Sequence, residues 1–221
     1  MSTIFGNQQL QVKIGVVAIF LFFILDMTTD FWFGSMLPGY DWKSQSISYI
    51  GNSASPVLHL VKIWGVLFTI LVVLFANSFA IQFRKNSPWG LIGALFLILY
   101  GLGEGLGSAF FPIHPEGAPV TTSTLFHDTF SSLGDMGLIL LPFVMMFIYP
   151  RHSNKAYHFY LWSVVFMGLF WAALFLTAKY FTPHNFILAY KGVWQRLYTL
   201  NYYVQLLVLG IKMWPASKSA P

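Results

Sequence analysis

The stretch VLHLVKIWGVLFTILVVLFANSFAI, residues 57–81, decides the fold of this chain. From Ile63 to Ile81 it contains no charged side chain. A helix that crosses the hydrocarbon core of a bilayer needs about 20 predominantly apolar residues. Backbone groups in lipid must find their hydrogen-bond partners within the protein, which a helix provides over a continuous run. The stretch therefore predicts a membrane-spanning helix.

The rest of the chain has the same character. Charged residues make up only 9% of the sequence, whereas a soluble domain carries roughly 25%, so a soluble globule is excluded. The apolar runs are continuous and lack the alternation that is typical of transmembrane barrels. We predict an all-α polytopic membrane protein, a six-transmembrane-helix bundle in a single domain over residues 1–221. The predicted spans are 12–33, 57–81, 89–111, 125–149, 158–181 and 190–213.

The basic residues of the connectors predict the orientation. Both termini and the second and fourth connectors contain no acid, and their basic residues are Lys13, Arg84, Lys85, Arg151, Lys155, Lys212 and Lys218. Positive residues in short loops stay in the cytoplasm, so we expect both termini to be cytoplasmic. The same distribution accounts for the net charge of +5 without a nucleic-acid partner. Membrane lipids are the expected partners, and a homo-oligomer stays open.

The acidic residues fall entirely on the predicted outer half: Asp26, Asp30, Asp41, Glu104, Glu116, Asp128 and Asp135. A charge near the bilayer centre costs at least ~2.5–3.5 kcal/mol, so such residues face a bundle interior or a wet cavity. From the helical rise, we expect Glu104 to lie about 10 Å deep and Asp135 about 15 Å deep. Ionisable residues at this depth predict an outward-facing polar cavity with a function.

The fourth span contributes a polar stripe to this cavity. His127, Ser131 and Asp135 are four residues apart and share one helix face. We predict catalytic roles for Glu104, His127, Asp128 and Asp135, and substrate-binding roles for Arg196, Lys62, Ser131 and Gln195. A divalent metal such as zinc is a candidate cofactor, with His114, His127 and Asp128 as its ligands. The absence of cysteine excludes thiolate ligands and cysteine nucleophiles.

Each of these features also has a purely structural interpretation. The glycines at 101, 103, 105 and 107 are typical of close helix packing. Asp26, Asp30 and Asp41 lie near the predicted interface, where solvated or helix-capping acids are ordinary. Glu104 can form a structural ion pair with Arg196 or Lys62.

Three stretches of the sequence resemble the bacterial membrane family called domain of unknown function 998. They are Ser46-Ile47-Ser48-Tyr49-Ile50-Gly51 followed by Ser55-Pro56, Phe111-Pro112-Ile113-His114 followed by His127-Asp128, and Gly192-Val193-Trp194-Gln195-Arg196-Leu197. The resemblance implies a multi-pass protein of the bacterial cytoplasmic (inner) membrane, and it implies no reaction. The first stretch is also similar to the Frag1, DRAM and Sfk1 group, whose members are linked with lipid remodelling and with autophagy or phosphoinositide regulation. Tyr49 and His114 stand where the family pattern usually has acids.

Three hypotheses about function stay open. The first is a membrane-embedded hydrolase or transferase that acts on a lipid or lipid-linked substrate at the outer leaflet. No HExxH motif is present, and Ser131 lies between His127 and Asp135 on one face, which disfavours a Ser-His-Asp triad. The second is a small-molecule or proton-coupled transporter, although the sequence shows no paired repeats. The third is a non-catalytic scaffold or regulator, in which the polar residues only fix the packing of the helices.

Overall fold

The computed structural model describes residues 2–180 and 186–214, and over these residues the regular structure is entirely helical. The α-helices are α1 (Ser2–Ser35), α2 (Ile47–Ile50), α3 (Leu58–Phe83), α4 (Trp89–Tyr100), α5 (Ser108–Phe110), α6 (Thr122–Ile148), α7 (Lys155–Tyr180), α8 (Phe186–Ala189) and α9 (Lys191–Met213). A π-helical segment, Gly101–Gly107, joins α4 to α5 without a break. The prediction of an all-α protein is confirmed.

Five helices are long and apolar enough to cross a membrane: Gln8–Ser35, Leu58–Phe83, Trp89–Phe110, Thr122–Ile148 and Lys155–Tyr180. They coincide with the first five predicted spans, so the chain is a helical membrane protein with several spans. The sixth predicted span forms α9, which does not belong to this set. Its polar residues explain why: Lys191, Gln195, Arg196, Asn201, Gln205 and Lys212 all lie on it. The sixth crossing and the cytoplasmic termini therefore stay predictions.

The long helices form a closed ring. Helix α1 packs on α3, α3 on α4, α4 on α6, α6 on α7, α7 on α9, and α9 returns to α1. The main core fills the half of the ring next to the beginning of α1, with Phe22, Phe75, Leu97, Leu141 and Leu209 among its buried side chains. Lipid tails are as apolar as these residues, so van der Waals packing holds such helices together in a membrane. The other half of the ring contains the acidic side chains of the spans.

The glycines of the π-helical segment let two neighbouring helices approach it. A Cβ atom added at Gly105 would lie 2.9 Å from the carbonyl oxygen of Gly65 on α3. One added at Gly103 would lie 2.8 Å from the Cα atom of Gly134 on α6. Because neither position has room for a side chain, the prediction that these glycines serve close helix packing is confirmed.

The π-helical geometry itself has a partner on α3. The hydroxyl of Thr69 lies 2.7 Å from the carbonyl oxygen of Gly101 and 2.9 Å from that of Gly65, both of which can accept its proton. A wider helical turn leaves carbonyl groups without their usual partners, and a hydroxyl from a neighbouring helix can satisfy them. Segments of this kind occur frequently at functional sites. Here the segment carries Glu104.

Candidate functional site

A cavity of about 550 Å³ occupies the polar half of the ring. Seven of the residues predicted from the sequence line it together: Glu104, His114, His127, Asp128, Ser131, Asp135 and Gln195. The connector between α1 and α3 and the connector between α5 and α6 meet beside it, where the amide of Ser53 donates to the carbonyl of Ile113 at 2.9 Å. Gln45 and Glu116, on the same two connectors, are joined by a side-chain hydrogen bond of 3.1 Å. The cavity therefore lies between the helices and a pair of linked connectors.

Glu104 is held between two serine hydroxyls. Ser131 on α6 donates to its Oε1 atom, and Ser108 donates to its Oε2 atom at 3.4 Å. Asp135, one turn further along α6, lies within electrostatic range of Glu104. In the described part of the chain, neither carboxylate forms an ion pair. The arrangement presents a serine hydroxyl on a carboxylate, next to a second carboxylate.

His127 is oriented by backbone carbonyl groups in and just after α5. Its Nδ1 atom lies 3.0 Å from the carbonyl oxygen of Ser108 and 2.9 Å from that of Phe111. Carbonyl oxygens only accept, so Nδ1 carries a proton, and in a neutral imidazole the lone pair is then on Nε2. The residue is 5% exposed, and Nε2 has no hydrogen-bond partner among the described residues. A buried ring nitrogen is thus left beside the cavity without a hydrogen-bond partner in the described part of the chain.

The three predicted zinc ligands each have another partner. The backbone amide and Nδ1 atom of His114 lie 2.9 and 3.0 Å from the hydroxyl of Thr124. Asp128 forms an ion pair of 2.8 Å with Lys179 on α7. Over residues 2–180 and 186–214, no three His, Asp or Glu side chains are grouped so that they could hold a metal ion. The metal site stays a prediction.

Arg196 has a different role from the predicted one. It does not line the cavity, and its guanidinium binds Asp30 on α1 through two hydrogen bonds of 2.7 and 2.9 Å. Its other donors reach the hydroxyl of Tyr40 and the carbonyl oxygens of Trp42, Gln45 and Gly192. All five N–H groups are thereby used. The structural ion pair predicted for Arg196 exists, but its acid is Asp30 and not Glu104, and substrate binding by Arg196 has no support in these contacts.

Of two further residues predicted to bind substrate, one lines the cavity and the other does not. Lys62 on α3 is absent from the cavity lining, and its ammonium lies 5.9 Å from the ring centre of Phe110. Gln195 does line the cavity, and its side-chain oxygen accepts a 2.7 Å hydrogen bond from the amide of Ile47. Gln195 therefore fixes α2 at the beginning of α9.

Asp26 is a site residue that the sequence interpretation missed. Its carboxylate accepts hydrogen bonds from the indole of Trp64 at 2.9 Å and from the hydroxyl of Tyr203 at 2.8 Å. The hydroxyl of Tyr203 also lies 2.8 Å from that of Tyr100. The interpretation of Asp26 and Asp30 as solvated or capping groups is wrong, because Asp26 sits in this network and Asp30 is 6% exposed. The available signal was their spacing of four residues, which places both on one face of the first span.

The connector outside the spans contains two titratable groups with clear shifts. Burial raises the pKa of Tyr40 to about 12, although the guanidinium of Arg196 opposes the shift. Tyr40 therefore stays protonated at neutral pH and donates to the carbonyl of Ser46 at 3.3 Å. Hydrogen bonds from the hydroxyl of Ser44 and the amide of Lys43 lower the pKa of Asp41. The interpretation of Asp41 as a solvated, exposed acid agrees with its surroundings.

Fold and site together define a multi-pass α-helical membrane protein with a polar cavity among its helices. The family model described as "Protein of unknown function (DUF998)" matches residues 16–212, and the chain belongs to that family. The resemblance read from the three sequence stretches is thereby confirmed, and every residue of the cavity lining falls within the match. Comparison with curated proteins and with solved structures found no match.

Proposed function

We propose that this protein is a membrane-embedded enzyme, a hydrolase or transferase that acts on a lipid or lipid-linked substrate. In this proposal α9 crosses the bacterial cytoplasmic membrane as a sixth span, both termini are cytoplasmic, and the cavity opens toward the outer leaflet. One observation carries the proposal: the hydroxyl of Ser131 donates to the carboxylate of Glu104 inside a cavity among the helices.

The size and chemistry of the cavity support it. A volume of about 550 Å³ lies within the ordinary range for small-molecule sites, about 300–1,000 Å³. A carboxylate that accepts a hydrogen bond from a hydroxyl is placed to take its proton as that oxygen attacks an ester. In the proposed reaction Glu104 takes the proton of Ser131 as the serine oxygen attacks the ester carbonyl, and it gives that proton to the departing alcohol oxygen as the ester C–O bond breaks, which leaves the acyl group on Ser131. Water or a second alcohol then removes the acyl group, with Glu104 again as the base.

The experiment uses purified protein in vesicles of phosphatidylethanolamine, phosphatidylglycerol and cardiolipin. Mass spectrometry would measure fatty acids, lysolipids and transacylated products over time. We expect Ser131→Ala and Glu104→Gln each to lower product formation at least about 100-fold. Thr129→Ala is the matched control, because the exposed Thr129 hydroxyl bonds, among the described residues, only to the carbonyl of Leu125 on its own helix.

Two results would contradict the proposal. One is a wild-type protein that changes no lipid in these vesicles. The other is product formation that persists in Ser131→Ala and Glu104→Gln at the rate of Thr129→Ala. Thermal unfolding of each variant separates a lost reaction from a lost fold.

A proton-coupled transporter is the second candidate, and the π-helical segment favours it. Irregular helix at membrane depth is tolerated where it lines a cavity, and intramembrane acids there are typical of proton pathways. Glu104 lies on such a segment. Vesicles loaded with a pH-sensitive dye would reveal proton flux that Glu104→Gln abolishes. If neither lipid chemistry nor proton flux depends on Glu104, the scaffold or regulator hypothesis gains.

A further inference from the structure

Buried polar groups without partners concentrate where α7 packs on α9. Four side-chain polar atoms there are buried and lack a hydrogen-bond partner in the described part of the chain: the hydroxyls of Tyr157, Tyr160 and Tyr202 and the amide nitrogen of Gln205. Tyr202 and Gln205 are each 1% exposed. Most buried polar groups in proteins bond to one another or to ordered water, because an unsatisfied group is costly in an apolar medium. Such groups at one helix contact therefore need a common explanation.

Two contacts fix the register of α7 against α9. The rings of Trp171 and Trp194 stack with their centres 5.9 Å apart, and the side-chain amide of Asn201 donates to the carbonyl of Val164 at 3.0 Å. Val164 precedes Trp171 by seven residues, and Asn201 follows Trp194 by seven. The two helices are therefore antiparallel, and they advance equally along each other over about two turns.

The polar groups form one row along this contact. Tyr198, Tyr202 and Gln205 are four and three residues apart, so they share one face of α9, and the rings of the two tyrosines are centred 5.3 Å apart. Gln205 lies level with Tyr160 on α7, because each is four residues beyond the amide–carbonyl contact between the helices. Tyr160 in turn stacks on Tyr157, with ring centres 6.0 Å apart.

The row joins the cavity to the opposite end of the ring. At one end, the hydroxyl of Tyr198 lies within electrostatic range of the Asp135 carboxylate, and both residues line the cavity. At the other end, the ammonium of Lys212 lies 4.2 Å from the ring centre of Tyr157. Lys212 is exposed and lies in the last turn of α9, so this end of the row reaches solvent. From Tyr198 to Lys212 the helix advances about 21 Å, a large part of the roughly 30 Å hydrocarbon core.

The spacing of the row suits single water molecules between its polar groups. One turn of helix advances about 5.4 Å, which is the length of two O–H···O hydrogen bonds of about 2.7 Å end to end. The hydroxyl of Tyr202 is pressed against α7, because a Cβ atom added at Gly168 would lie 2.6 Å from the Cζ atom of the tyrosine ring. A hydroxyl both donates and accepts, so water between two tyrosines can pass a proton from one oxygen to the next. Polar rows that end at an intramembrane acid are typical of proton relays.

We propose that this row is a proton path, in which water molecules and the hydroxyls between α7 and α9 connect Asp135 to the solvent beside Lys212. A proton that enters at one end moves each hydrogen-bonded proton one oxygen further, and a proton leaves at the other end. O–H bonds alone are made and broken, so no oxidant or reductant takes part. The path goes beyond the lipid reaction, because it needs neither Ser131 nor an acyl intermediate.

Proton flux tests the path. The purified full chain is reconstituted into vesicles of phosphatidylethanolamine and phosphatidylglycerol that enclose a pH-sensitive dye, and a potassium gradient with valinomycin drives protons inward. We expect the wild type to acidify the interior faster than protein-free vesicles. Tyr202→Phe and Gln205→Leu should each lower the protein-dependent flux at least about tenfold, because each removes a polar group that the relay needs. Asp135→Asn should lower it similarly, because an amide does not release a proton at neutral pH.

Ser163→Ala is the matched control for these variants. Its exposed hydroxyl also lies on α7, and within the described ranges it bonds only to the carbonyl of Phe159 on its own helix. Ser163→Ala should therefore keep the wild-type flux. Thermal unfolding identifies any variant that has lost its fold. Tyr202→Phe should keep its fold, because the deleted hydroxyl has no partner among the described residues.

A second measurement detects the water directly. X-ray radiolysis in isotope-labelled water turns water next to a side chain into hydroxyl radicals, which add the labelled oxygen to that side chain. Mass spectrometry then identifies the labelled residues. We expect Tyr202 to take up label although it is 1% exposed, whereas Phe75, which is 0% exposed in the main core, should stay unlabelled.

Any of three results would overturn the path. The wild type could acidify vesicles no faster than lipid alone, Tyr202→Phe and Gln205→Leu could conduct as well as Ser163→Ala, or Tyr202 could take up no more label than Phe75. Failure of the path is distinct from failure of the proposed enzyme. Lipid products without proton flux would refute the path and leave the enzyme standing, whereas flux that depends on Tyr202 without lipid products would do the reverse.

Discussion

Replacing Arg196 with methionine tests the ion pair between Arg196 on α9 and Asp30 on α1. The side chains of Arg196 and Asp30 are 11% and 4% exposed, and the pair is bidentate. Removing one partner of a buried pair leaves an uncompensated charge, which costs about 3–5 kcal/mol of unfolding free energy. The hydroxyl of Tyr40 also loses a donor, whereas the exposed carbonyl of Trp42 can bind water instead. We therefore expect Arg196→Met to lose at least about 3 kcal/mol.

The double variant Asp30→Asn/Arg196→Gln separates charge from packing. It removes both charges and keeps polar side chains of similar size, so we expect it to recover more than half of the loss seen in Arg196→Met. Lys62→Met is the matched control, because Lys62 has only a ring contact with Phe110 among the described residues and should lose less than about 1 kcal/mol. Unfolding in mixed micelles, followed by tryptophan fluorescence, measures all three variants.

Two outcomes would refute this reasoning. In the first, Arg196→Met is no less stable than Lys62→Met, so the pair contributes no measurable stability. In the second, the double variant recovers none of the stability lost in Arg196→Met, so the two charges are not coupled. Either result would return Arg196 to the candidates for substrate binding.

Three further predictions concern packing, the Asp26 network and topology. Tyr203→Phe should cost about 1–3 kcal/mol in the same unfolding assay, because Asp26 loses a buried donor; a loss below about 0.5 kcal/mol would mean that water replaces the hydroxyl. Gly105→Ala should cost about 1–3 kcal/mol, because its methyl group meets α3, and an unchanged stability would show that the helices separate freely. Cytoplasmic reporters fused after Lys85 or at the C-terminus should be active, and outer-compartment reporters should be active at Gln45; a C-terminus in the outer compartment would overturn the orientation and the proposed outward opening.

Several site residues followed from local patterns in the sequence. His127, Ser131 and Asp135 are four residues apart, and a helix of any rotation keeps them on one face. Glu104 and Asp135 were placed at depth from the rise per residue alone. The cavity lining contains all four, because acids within an apolar helix must turn away from lipid.

The partners of these residues did not follow from the sequence. Arg196 pairs with Asp30 rather than Glu104, and these residues come from opposite ends of the chain. Which acid an arginine meets depends on the order of helices in the ring and on the rotation of each helix, and neither leaves a periodic signal. The burial of Asp26 likewise depends on Trp64 and Tyr203, which two other helices bring to it.

The sequence by itself determined the class, the first five spans and the segregation of acids, because hydropathy and helical periodicity are local properties. The tertiary structure alone decided three features: the π-helical turn at Glu104, the hydroxyl of Ser131 on its carboxylate, and the unpartnered Nε2 of His127. The first two arise where α3, α6 and the segment between α4 and α5 meet through glycines, and the third arises where α6 meets the end of α5. At such contacts the close approach of the helix backbones determines which polar groups meet. That approach depends on the tertiary packing of helices that are distant in sequence.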